Sequence, residues 1–152
     1  EAREAYLYAR NLRAALPPEE AARKLALFRK ELLLEREFVR AGGLLLTGPD
    51  PTGNGGTIPG FADHRGVELL VEAGFTPAEA IRIATLNGAI FLGRDRDIGS
   101  VETGKAADLL LVRGDPAARI SDLRQVELVW KDGAAYDPQK LLESVRGRYG
   151  QY

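Results

Sequence analysis

The chain has 152 residues, 45% of them hydrophobic and 28% charged, with a formal net charge of -1 at pH 7. That size and balance suit about one globular domain, and near-neutrality gives no electrostatic case for nucleic acid or an anionic membrane surface as a partner. Apolar runs of only a few residues argue against a membrane-spanning helix, and the absence of Cys excludes disulfides and thiolate metal sites within the chain.

In chain order, Ala5, Ala9, Leu12 and Leu16 share one helical face over residues 2–16, and Pro17-Pro18 ends that helix. Glu19 and Glu20 suit the first turn of a second helix running to about Ala41, with Leu25, Phe28 and Leu32 inward and Gly42-Gly43 as its stop. The apolar run Leu44-Leu45-Leu46-Thr47 follows at once and meets the breakers Gly48-Pro49-Asp50-Pro51-Thr52-Gly53-Asn54-Gly55-Gly56-Thr57. This reads as a buried strand ending in a loop, with Asp50 where the strand gives out. In parallel α/β architectures the carboxyl ends of strands are where ligands and catalytic groups gather. Such a strand needs neighbours on both sides that these residues do not supply.

Asp63 is placed to cap a helix through Ala73, closed by Gly74. Thr76-Pro77-Ala78-Glu79 has the form of a capping box with Pro in the first turn, and its helix, with Ala80, Ile83 and Ala84 inward, is expected to end near Leu92-Gly93. From Asp97 the character changes to short β runs at Ala107–Val112, Val126–Trp130 and Ala134–Tyr136. The Asp-Gly pair within Lys131-Asp132-Gly133 marks a tight hairpin between the last two. Residues 138–146 complete the pattern as a short helix with Leu141, Leu142 and Val145 on one face. The chain divides near residue 96, and neither half looks complete. Because it opens at Glu1, without Met or a signal-like segment, it is expected to be a piece of a longer protein.

With these residues laid out, the chain resembles the C-terminal part of a metal-dependent amidohydrolase of the branch that includes imidazolonepropionase-like and Xaa-Pro dipeptidase-like enzymes. Leu44–Asp50 resembles the last barrel strand with its terminal metal-site Asp. Pro59-Gly60, His64 and Glu68–Gly74 resemble the next loop and helix. Thr76–Ala80, Ala84-Thr85-Leu86-Asn87 and Leu92-Gly93 resemble the helix after it. Gly99–Leu109 and Val129–Gly133 resemble a turn, a strand and the closing hairpin of the family's β-sandwich. The likeness covers roughly residues 19–137. Each piece alone is weak, and their order carries the argument. Gly48-Pro49-Asp50 departs from the family's commoner Gly-Thr-Asp, and Gly88 stands where Pro is common. The early His-x-His, the bridging Lys or Glu and two later metal-binding His residues are not in this sequence.

The resemblance implies an α/β fold: the last βα unit of a TIM-type (β/α)8 barrel over residues 1–96, part of a small β-sandwich over 97–137, and a C-terminal helix and tail over 138–152. It implies a parent hydrolase acting on C–N bonds of an amide or dipeptide-like small molecule, with a divalent metal, zinc by preference. Asp50 would be both a metal ligand and the acceptor of a proton from the metal-bound water. Read alone, Asp50 between two prolines is a turn-capping residue. For His64 two readings stay open, contact with substrate at the barrel mouth or a helix-start histidine bonded to backbone. It matches none of the family's metal-binding histidines. A catalytic metal needs about three protein ligands, so the chain by itself is expected neither to bind zinc tightly nor to be active. It is expected to self-associate or to stay bound to the rest of its barrel.

Two other readings were weighed. The spacing Gly48 to Gly53 suggests a phosphate loop, but Asn54-Gly55 stands where Lys and Ser or Thr are required. Asp108 and Asp132 read as structural. The rival from another class is a non-catalytic structural or assembly module that kept this scaffold.

Overall fold

The computed structural model describes residues 16–50, 57 and 60–148. The helix expected over residues 2–16 therefore lies almost wholly outside the described residues. Helix α1 spans Pro18–Arg40, with Pro at its start, Glu19 and Glu20 in the first turn and Arg40 in the last. Both charge placements favour the helix dipole. Gly42, at φ +90°, ends it, and the N–H of Gly43 bonds Phe38 O at 2.9 Å, closing the last turn as a glycine stop does. Of the three residues expected inward, only Leu32 is buried, while Leu25 and Phe28 are exposed. The apolar face of α1 is wider than the surface available here to cover it.

Helix α2 runs Phe61–Glu72. Its cap is not Asp63, as the sequence suggested, but Gly60 at φ +81°. Asp63 sits three residues in, and its Oδ2 accepts the Gly60 N–H at 2.9 Å. Helix α3, Pro77–Ala84, starts with the expected box: Thr76 Oγ1 accepts from Glu79 N–H at 3.3 Å, and Glu79 Oε2 accepts from Thr76 N–H at 2.7 Å. The single helix expected to reach Leu92 instead breaks at Thr85 and resumes as α4, Leu86–Phe91. The Thr85 hydroxyl donates to Ile81 O at 2.7 Å, four residues back, and this competition with the helical N–H accompanies a bend.

The remaining elements are β1 (Leu109–Val112), a 3-10 helix (Ile120–Arg124), β2 (Val126–Lys131), β3 (Ala134–Tyr136) and α5 (Pro138–Ser144). The strands form one antiparallel sheet in the order β1-β2-β3, with Leu109 opposite Trp130 and a register irregularity between Leu111 and Val112. The β2–β3 turn places Asp132 and Gly133 at φ +50° and +81°, between the pair Lys131 and Ala134. Two positive φ values in a two-residue turn are what an Asp-Gly hairpin supplies. Asp137 caps α5, but Leu141, Leu142 and Val145 all remain exposed.

The core gathers Leu32, Val67, Leu70, Ala73, Phe75, Ala80 and Ile83, with Leu45, Ile120 and Leu123 packed partly against it. Residues from α1, α2, α3, the 44–47 segment and the 3-10 helix thus share one cluster. Ala80 and Ile83 are buried as expected, whereas Ala84 is exposed. Among the described residues no helix is long and apolar enough to cross a membrane.

Candidate functional site

The segment expected as a buried strand is not hydrogen-bonded into any sheet among the described residues. Its strand character survives in another form. From Gly43 to Asp50 burial alternates residue by residue: Gly43, Leu45, Thr47 and Pro49 are partly covered, and Leu44, Leu46, Gly48 and Asp50 are exposed. That period of two is the pleat of a strand.

The covered side is fixed by two helices. Asn87 of α4, itself buried, donates its Nδ2 hydrogen to Leu45 O at 2.9 Å. Gly66 of α2 lies so close that an added Cβ would come within 2.9 Å of Thr47 Oγ1. Asp50 shares the opposite, uncovered side with Leu44 and Leu46. Asp50 thus stands exposed at the end of an anchored segment.

His64 lies on α2, half-buried, with its backbone N–H at 3.5 Å from Gly60 O. It borders a mainly apolar cleft of about 670 Å³ between the helices and the β module, together with Val67, Ile81, Thr85, Val101 and Leu109. Asp50 is not among the residues lining that cleft.

The helical and β portions are tied together by charge. Arg124 of the 3-10 helix grips Glu68 of α2 through two bonds of 2.6 and 2.9 Å, and Arg65 reaches Glu72 at 2.6 Å. The Arg124 guanidinium, opposed by partial burial, holds the Glu68 carboxyl below the usual carboxylate range. Asp122 is buried and accepts from Asp115 N–H, Arg119 Nε and Gln125 Nε2 at 2.9, 2.7 and 3.2 Å. The Arg119 bond first, then the Asp115 N–H, lowers its pKa. Asp108 accepts from the Asp132 N–H and from Lys131 Nζ, both at 2.8 Å, which lowers its pKa in that order of cause. Asp108 and Asp132 are structural here, as their sequence setting suggested.

Among the described residues no three His, Cys, Asp or Glu side chains gather to hold a metal ion. The donor set therefore does not fit a complete metal centre. The residue that sequence reasoning missed is Asn87, quoted above only as part of a motif. A polar side chain directly after the Thr85-Leu86 break was the available signal, but its partner lies 42 positions away.

The described residues form a mixed helix–sheet architecture, with an acidic residue closing a strand-like segment beside a helix layer. A solved structure of a candidate prolidase from Bifidobacterium longum shares it, with 39% sequence identity and a TM-score of 0.60 over 67% of this chain and 25% of that one. Residues 47–135 match the Amidohydrolase family, and the chain belongs to that family. It is 36% identical over 101 residues to a 5-methylthioadenosine/S-adenosylhomocysteine deaminase of Moorella thermoacetica, covering 62% of this chain and 21% of the deaminase. Over 41 residues it is 49% identical to an imidazolonepropionase of a Geobacillus strain, covering 27% of this chain and 10% of that protein. The chain thus spans about a fifth or less of the length of these curated relatives. The resemblance to the amidohydrolases read from the motifs is borne out.

Proposed function

We propose that this chain is the C-terminal part of a metal-dependent hydrolase that cleaves a C–N bond, with Asp50 as its reacting carboxylate. The single observation that carries the reading is the placement of Asp50: it ends a strand-pleated segment held on one side by Asn87 and Gly66 and open on the side that Asp50 shares. In this reading residues 1–96 supply the last βα unit of a TIM-type barrel, 97–137 part of a β-sandwich and 138–152 a closing helix and tail. The remaining strands come from a longer chain.

Members of the family generally use divalent metals. When bound, a metal such as zinc supplies a Lewis acid that activates the attacking water. Asp50 would be one of the residues that hold it, and its carboxylate would take the proton of the attacking water as the C–O bond forms and pass it to the leaving nitrogen as the C–N bond breaks. A catalytic metal needs about three protein ligands, so the chain by itself is inactive in this reading. His64, which borders the cleft between the helices and the β module, is the candidate substrate contact. The substrates are small amides or dipeptide-like molecules, and the names of the relatives set a panel: 5-methylthioadenosine, imidazolonepropionate and proline dipeptides.

The test is Asp50→Asn in the complete open reading frame containing this chain, assayed on that panel. The change is isosteric, so folding should persist while turnover falls by about 10²-fold or more, the scale of a lost acid–base group. Near-normal turnover would return Asp50 to a turn residue and leave a non-catalytic module as the better reading.

A further inference from the structure

Helix α1 carries apolar residues on two sides. At about 100° of turn per residue, Leu25, Phe28 and Val39 fall within about 40° of the buried Leu32. Leu32 joins the core against which Leu45 also packs. Leu27, Leu34 and Phe38 fall about 120–160° away from Leu32, and are 48, 70 and 50% exposed. Phe38 lies over Gly43, where any Cβ would collide with its ring, so the end of its own helix fixes it. In the reading above, residues 44–47 belong to a barrel, which then lies on the Leu32 side of α1. Pairing that segment into a sheet leaves the second stripe uncovered. An outer helix ordinarily turns polar residues outward, and an exposed apolar stripe rimmed by charge is the form of a contact surface.

The charges beside the stripe indicate its occupant. Arg23 and Glu37 lie on one flank, Lys24 and Glu35 on the other. On both flanks the basic residue comes first and the acidic one about three to four turns later. A two-fold axis that sets α1 antiparallel to a second copy brings each flank against the same flank reversed. Arg23 then meets Glu37 of the second copy, Lys24 meets its Glu35, and Leu27 meets its Leu34, every pair occurring twice. A parallel pair would instead set basic beside basic and acidic beside acidic, which is unfavourable. Within the helix Lys24 meets Glu20 at 3.2 Å and Glu37 meets Arg40 at 2.7 Å. Exposed pairs of that kind contribute little each, and a carboxylate accepts from more than one donor. Lys30 and Glu31, on opposite flanks nearest the axis, would each meet their own copy and oppose the pairing.

We propose that α1 is the seam of a symmetric, antiparallel homodimer, closed through Leu27, Leu34 and Phe38 and set in register by Arg23 with Glu37 and Lys24 with Glu35. The proposal does not use Asp50, so it and the reading of Asp50 stand or fall separately.

The test is sedimentation equilibrium of the complete protein encoded by the open reading frame that contains this chain, over a concentration series. A concentration-dependent dimer is expected. Because each pair occurs twice, Arg23→Glu alone or Glu37→Arg alone should raise its dissociation constant by about tenfold. The two changes together should bring it back to within about threefold of the original, and Lys30→Gln should tighten the dimer by removing a charge that faces its own copy. All three positions are exposed, so circular dichroism should show unchanged helix content. A dimer indifferent to the single reversals, or one that the double reversal fails to restore, would overturn the proposal. A complete protein that stays monomeric, with a Leu34→Asp variant that melts lower, would overturn it in favour of cover from another part of the same chain.

Discussion

Gly114 offers the sharpest test of how the β module is built. Its φ is +106°, a region that residues with a Cβ rarely enter, and a Cβ added there would lie within 3.1 Å of three atoms of Asp122. Ordinary contacts of that kind begin near 3.4 Å, so the Asp122 carboxylate would have to withdraw by about an ångström. It cannot do so while still accepting the Asp115 N–H and Arg119 Nε, at 2.9 and 2.7 Å. Gly114→Ala therefore carries two costs. Backbone strain alone is about 1–3 kcal/mol, and disruption of the Asp122 cluster adds to it. For a domain of this size each kcal/mol lowers Tm by about 2–4 °C. Gly104 supplies the control, since it has a similar φ of +94° and nothing within 4 Å of an added Cβ. Gly104→Ala thus reports strain without collision. In thermal melts followed by circular dichroism, Gly114→Ala should fall below Gly104→Ala by at least about 4 °C. Equal melting temperatures for the two variants would refute the reasoning, since the Asp122 cluster would then have room to spare.

Two further outcomes concern the chain as a whole. Glu68 has a depressed pKa because Arg124 bonds its charged form, so its contribution to stability is present above the unfolded carboxylate value and is lost as pH falls through the folded one. Both partners are solvent-accessible, so the effect is screened. Glu68→Gln should lower Tm by about 2 °C or less at pH 7, and the gap should narrow at an acid pH below the ordinary carboxylate range. A gap of the same size at both pH values would exclude the charge as its cause. The second outcome concerns association. Leu33, Leu34 and Phe38 on α1 are exposed, as are Phe61 and Phe91. Apolar surface of that extent promotes contact with other chains, and light scattering of the purified chain should find more than a monomer. A compact monomer with one cooperative thermal transition would contradict both this and the reading of the chain as part of a larger barrel.

Much of the local structure was legible in the sequence because its causes are local. Thr76 and Glu79 meet through three residues of chain, and Asp132-Gly133 makes its turn with its own dihedral preferences. Gly42 ends α1 because a glycine reaches positive φ cheaply. The order of the motifs also sufficed to point to the amidohydrolases. What the sequence misjudged was cover. Leu25, Phe28, Ala84 and Leu141 have the periodicity of buried faces, but periodicity says which side is apolar and not whether anything lies against it. The segment at 44–47 shows the same limit: its alternation was written in the residues, while among the described residues no sheet strand pairs with it. Tertiary structure alone decided the rest. Asn87 finds Leu45 and Arg124 finds Glu68 at separations of 42 and 56 residues. No local propensity encodes such pairings, because their energy appears only after the helices have packed and brought the partners within hydrogen-bonding range.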